Sequence, residues 1–285
     1  MKKIITFALF FALILSLPVF AAGNCRAVIG ANLTEEQINE VYGLMGSLKR
    51  GDVPELSMTN DIERSYLEGY IPDEQLGTRS ISSVLVTLTG EENSVKCTNI
   101  NWCTESMYLS AMATAGIENV SVQVAAPFEV SGTAALAGIY MAYEDLTGEK
   151  LGNEEKTAAV LDLVTTGQLG QELGGSEALT LVTELKLILD ETMEMSDEEL
   201  YEKINDVADE YNIPINDFQR EKLKELCRGF EKLDTDALKD KVEGVKDTFE
   251  KMGEMKDKAL SFWDRLGEIF AAIAEFISKI MEIFS

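Results

Sequence analysis

Ala125 to Tyr143 read AAPFEVSGTAALAGIYMAY, and the rest of the chain is parsed from this stretch. Leading into it, Val120, Val122, Val124 and Ala126 alternate with Ser121, Gln123 and Ala125, the period-2 pattern of a half-buried strand. Pro127 predicts a turn that ends this strand, and Ser131 a side-chain cap for the helix that follows. Ala134, Gly138 and Ala142 recur every fourth residue, so one ridge of that helix lets a sheet or helix approach closely. Ser131, Gly132 and Thr133 offer free amides at a helix start, a place that could hold an anion. Ordinary capping by Ser131, with Glu129 beside the positive helix end, accounts for the same residues. Arg79, one of few cations in this half of the chain, is expected to pair with Glu129 across adjacent elements. Arg79, Glu129, Ser131 and Thr133 therefore form the candidate polar cluster.

Upstream, short strands and helices alternate. Arg26 to Gly30 reads as a strand, and Thr34-x-x-Gln37 is a capping box for a helix to about Leu48. Val53 to Thr59 reads as a second strand, after which Asn60 or Asp61 opens a helix that Pro72 stops. Ser80 to Thr89 and Ser94 to Trp102 flank Gly90-Glu91-Glu92-Asn93 and predict a hairpin. Thr104 caps a helix that ends at Gly116. The expected fold class is α+β: a mixed sheet of about five strands with packed helices over residues 25–147.

Downstream the chain reads as helical and acidic. A helical domain is expected over residues 150–233, interrupted at Gly167, Gly170, Gly174 and Gly175. Ser196-x-x-Glu199 and Asn216 are helix starts, and Phe218, Leu223, Leu226, Cys227 and Phe230 mark a buried face. Residues 236–285 carry apolar residues at steps of three or four, a long amphipathic helix or helix pair. The repeat slips at Phe249-Met252-Met255, so Gly253 is the expected break. Phe262, Trp263, Leu266, Ile269, Phe270, Ile273, Phe276, Ile277 and Ile280 widen the stripe into a candidate interaction surface. It suits docking on the chain's own helices, self-association or a protein partner, or peripheral contact with a membrane surface. Asp264, Arg265, Glu268, Glu275, Lys279 and Glu282 punctuate it too often for a membrane span.

Composition narrows the chemistry. Fifty Asp plus Glu against 25 Lys plus Arg repel phosphate backbones, so no nucleic-acid partner is expected. Histidine is absent, which removes Ser-His-Asp and Cys-His nucleophiles and imidazole metal sites. No phosphate-binding loop or dinucleotide fingerprint occurs, and the Asp234, Asp236, Asp240 group lacks the glycine and glutamate of a calcium loop. No catalytic residue, cofactor or metal site is expected.

Lys2-Lys3, the uncharged run Ile4 to Phe20 and the small residues near Ala21 read as a signal peptide over residues 1–21. Export to the envelope or the medium is the expectation. Outside the cell, Cys25, Cys97, Cys103 and Cys227 allow two bridges in three connectivities. Cys97 and Cys103 are the candidate pair; Cys227 on an apolar helix face equally suits a free, packed thiol.

Three segments carry a resemblance: YLEGYIPDEQLGTRSISS (Tyr66 to Ser83), ESMYLSAMATAGIENVSV (Glu105 to Val122) and APFEVSGTAALAGIYMAYE (Ala126 to Glu144). In order and spacing they resemble the YpuA-like exported bacterial protein family, domain of unknown function 1002. The resemblance implies a secreted or envelope protein and assigns no activity or site residues. The leading expectation is a non-catalytic interaction or structural protein. The alternatives are a carboxylate-based hydrolase of cell-wall material and a membrane-surface protein using the C-terminal helix.

Overall fold

The computed structural model describes residues 23–71 and 73–256. The signal-peptide segment and the apolar surface from Phe262 to Ile280 lie outside the described residues. In chain order the elements are β1 (Cys25–Gly30), α1 (Glu35–Leu44), β2 (Glu55–Met58), α2 (Asn60–Leu67), α3 (Asp73–Leu76), β3 (Ser83–Leu88), β4 (Ser94–Ile100), α4 (Glu105–Ala115), β5 (Val120–Val130) and α5 (Thr133–Thr147). Six helices follow: α6 (Asn153–Leu173), α7 (Gly175–Leu187), α8 (Leu189–Thr192), α9 (Asp197–Glu210), α10 (Asp217–Phe230) and α11 (Thr235–Met252). The fold is α+β, with one mixed five-stranded sheet and a helical C-terminal part.

Strand order is β2-β1-β3-β5-β4. β1 runs parallel to β2 and antiparallel to β3; β5 runs antiparallel to β3 and parallel to β4. The expected hairpin between β3 and β4 does not form, because β5 inserts between them. β3 is buried along most of its length and needs a partner on each edge, which β1 and β5 supply. The Gly90–Asn93 loop instead crosses the start of β5. Thr89 N donates to Asn119 O (2.8 Å), Asn93 Nδ2 donates to Ile117 O (2.6 Å), and Asn93 Oδ1 accepts from Val120 N (3.1 Å).

Pro127 does not end the strand. β5 runs on to Val130, but its register with β4 breaks: Thr98 faces Ala125, and Ile100 next faces Val130. Pro127 falls in the bulged stretch, where a residue without an N–H leaves no ladder bond unmade. Asn99, at a φ of 58°, closes the bulge by donating from Nδ2 to Ala126 O (2.8 Å).

Ser131 does not cap α5 either. The cap position is Gly132, at a φ of 92°, with no side-chain cap bond. A Cβ there would lie 2.5 Å from Tyr108 Oη and 2.6 Å from Ile100 Cγ2, so only glycine fits. The small ridge does what its period predicts. A Cβ at Gly138 would meet Val84 Cγ2 at 3.1 Å, so α5 lies close on β1 and β3.

Val28, Val84, Val86, Val122 and Val124 face α4 and α5, while Ala27, Ile29, Leu85 and Ala125 face α1 on the other side. The first of these cores continues into α6 through Ala159, Val160, Leu163 and Val164. A second core fills the space among α6, α7, α9, α10 and α11. Phe218, expected on the buried face of α10, is exposed and lies against Lys222 Nζ, 5.7 Å from its ring centroid. Gly167 and Gly170 do not break α6; Gly174, at a φ of 114°, does. α11 ends at Gly253, a left-handed C-cap, and Phe249 anchors it between Leu109 and Leu179.

Candidate functional site

Three segments far apart in sequence enclose a cleft of about 430 Å³. The loop from β4 to α4 contributes Asn101, Trp102 and Thr104; the facing ends of α6 and α7 contribute Gly167, Gly170, Gln171, Gly175 and Ser176; the end of α11 contributes Gly253 and Glu254. Met107 and Leu179 form its apolar wall. The volume is that of an ordinary small-ligand site.

Each wall is held from behind. Cys103 N donates to Ser131 O and Asn101 N to Val130 O, both at 3.0 Å, so the loop hangs on the end of β5. Tyr108 Oη donates to Gly132 O (2.6 Å). The indole of Trp102 lies against α6, where a Cβ on Gly167 would sit 2.7 Å from Cζ2. Gly167 is thus a contact glycine, and any larger residue would push the indole out.

Thr166, on the cleft floor, leads to a buried ionic cluster. Its hydroxyl donates to Asp162 Oδ1 (3.2 Å). Lys186 Nζ donates to Asp162 Oδ2 (2.5 Å), Ser110 Oγ (2.8 Å) and Thr114 Oγ1 (3.0 Å), so each ammonium proton has an acceptor. The Ser110 and Thr114 hydroxyls lie 3.1 and 2.8 Å from Asp162 Oδ2. Lys186 and Asp162 are 1% and 0% exposed, and burial pulls the Lys186 ammonium below its usual range despite the carboxylate. A serine, a lysine and an aspartate at these distances resemble a nucleophile and its base. They are shut away from the cleft, however, and their geometry ties α4 to α6 and α7.

Two comparisons place the chain among known proteins. Residues 29–247 match a family model described as protein of unknown function (DUF1002). The chain belongs to the DUF1002 family. It is also 32% identical over 276 residues to the Bacillus subtilis (strain 168) protein described as uncharacterized protein YpuA, covering 94% of this chain and 93% of that relative. No solved structure gives a significant match.

In this DUF1002 chain the residues singled out from sequence do not gather in one place. Arg79 and Glu129 are both exposed, and neither joins an ion pair among the described residues. Thr133 is buried, and its hydroxyl donates to Glu63 Oε1 on α2 (2.8 Å). Ser131 Oγ lies 3.4 Å from Thr133 Oγ1. Glu63 had no mark in the sequence: it sits among many acids, and only the fold brings it to the start of α5. Its Oε2 is buried without a hydrogen-bond partner, and burial raises its carboxyl to about 7. None of the four cysteines forms a disulfide; Cys97 and Cys103 share one apolar cluster beside Tyr108, and burial pushes both thiols up, Cys97 to about 12. Among the described residues, no group of three or more Cys, Asp or Glu is placed to hold a metal ion. No described helix is long and apolar enough to cross a membrane.

The cleft itself escaped sequence reasoning. Asn101, Trp102 and Gln171 are unremarkable where they stand in the chain, and only the packing of α6 on α4 brings them face to face. The available signal is the glycine run Gly167, Gly170, Gly174 and Gly175, whose first member makes room for Trp102 and does not break the helix.

Proposed function

We propose that the chain is an exported, non-catalytic binding protein of the cell envelope, and that the cleft between the sheet layer and the helical region receives its ligand. The supporting observation is the construction of the cleft. Its walls come from three segments, two of them braced by hydrogen bonds from behind, while the polar groups it presents are amides, hydroxyls, one indole and one carboxylate. A rigid, largely uncharged concavity of this size suits recognition. The one Ser-Lys-Asp constellation lies behind the wall, where no substrate reaches it.

Cosedimentation of the mature chain with purified cell-wall sacculi tests this. A Cβ at Gly175 meets nothing within 4 Å, and its φ is unstrained, so Gly175→Phe fills the cleft without disturbing the fold. The expected result is retention by sacculi that Gly175→Phe abolishes, with no fragments released. Release of soluble reducing ends or amino groups would replace the reading with a hydrolase. Absent retention, or retention indifferent to the variant, would overturn it.

A further inference from the structure

The cleft presents two kinds of surface. Met107, Leu179 and the indole of Trp102 are its apolar lining. Asn101 and Gln171 add carboxamides, both exposed and neither holding a side-chain hydrogen bond within the described protein. A carboxamide offers donor and acceptor together, which complements a secondary amide or a pair of neighbouring hydroxyls. The described lining contains one carboxylate, Glu254, and no lysine or arginine. The chain around it carries a formal charge of −25. Anions are therefore disfavoured both by the local groups and by the overall field.

The matching ligand combines hydroxyls and amides with C–H and methyl groups and carries no negative charge. Resting on the reading of the cleft as a binding site, we infer that its ligand is an uncharged, N-acetylated saccharide chain. Asn101 and Gln171 take its hydroxyls and amides, and the apolar lining takes its acetamido methyl. Such a ligand needs no catalytic group and no metal from the protein.

The test is calorimetric titration of the mature chain with the β1→4 trimer of N-acetylglucosamine. Saturable one-to-one binding is expected, weakened at least tenfold by Asn101→Ala and by Gln171→Ala and lost in Gly175→Phe. Asn101 and Gln171 are exposed, so unchanged melting temperatures should accompany the weakened binding. The de-N-acetylated trimer and a glycerol-phosphate polymer are the competitors. Equal binding of either, no binding of the acetylated trimer, or indifference to both alanine variants would overturn the inference. Retention on sacculi that Gly175→Phe abolishes, with no trimer binding, sinks the ligand class alone. Loss of retention altogether sinks the binding-site reading with it.

Discussion

Asp162 and Glu63 are the most deeply buried carboxylates among the described residues, 0% and 1% exposed, and the protein treats them in opposite ways. Asp162 is surrounded: Ser110, Thr114, Thr166 and Lys186 converge on it from α4, α6 and α7. Glu63 has one hydroxyl, from Thr133, and an Oε2 that makes no hydrogen bond of good geometry; the side-chain amide of Asn60, one turn earlier on α2, favours the anion without offsetting its burial. A buried charge is tolerated when its hydrogen bonds are complete, and is otherwise relieved by taking up a proton. The first site therefore has its hydrogen bonds complete and fixes three helices against one another. The second gives up its charge near neutrality, as its raised pKa records.

The largest effect should come from spoiling the complete site. Lys186→Met strands Asp162 among three hydroxyls with no cation, and breaking a buried pair this way costs about 3–5 kcal/mol. Lys186→Met combined with Asp162→Asn should recover much of that loss, because the remaining hydroxyls can bond a neutral carboxamide. Urea unfolding of the two variants reads the difference. Equal stability of single mutant and wild type would mean that the cluster contributes nothing to holding α4, α6 and α7 together.

A smaller loss should follow from Gly132→Ala, beside the incomplete site. Alanine there must hold a φ of 92° and place its Cβ 2.5 Å from Tyr108 Oη. Left-handed strain and the displaced hydroxyl together amount to about 2–3 kcal/mol. The same measurement checks it, and a loss below half a kilocalorie would show that the Tyr108 contact yields easily. Because Thr133 is next in sequence, the variant should also disturb the one hydrogen bond that Glu63 has.

These sites explain which parts of the molecule could be read in advance. Thr34, Thr104, Ser196 and Asn216 each cap a helix through the backbone N–H three residues on, a relation wholly inside the local sequence. Gly253 could be read in the same way, from a slip in a periodic stripe. One mistake is local: Thr59, not Asn60 or Asp61, caps α2, accepting from Ile62 N. The larger ones involve partners brought from elsewhere. Period tells which face of β3 is apolar, not that β5 lies beside it in place of β4. Gly132 displaces Ser131 as the cap because Tyr108, from another helix, fills the space a side chain would need. Pro127 stays within β5 because β5 bulges there, with four of its residues opposite Asn99 of β4. The cleft and the Asp162 cluster are legible only once α6 is laid on α4, since their residues are ordinary helix-surface serines, threonines and amides until then.

Completing the incomplete site should stabilise the protein, and only at one end of the pH scale. The carboxyl of Glu63 has a folded pKa of about 7 against an ordinary 4.5. Between these values the folded chain holds a proton that the unfolded chain has released, so stability falls as pH rises through this window and levels off above it. Glu63→Gln keeps an acceptor for Thr133 and never ionises. Its advantage over wild type should be about 2 kcal/mol at pH 8, discounted from the full shift because the amide also loses water on burial. The advantage should shrink steadily below pH 7 and vanish near pH 4.5. Urea midpoints of both proteins across this range decide it. A difference independent of pH would mean that the effect comes from packing and that Glu63 does not titrate in the fold. A reversed sign would mean that the anion is stabilised where it stands, by the Asn60 amide turning to meet Oε2 and by the amino end of α5.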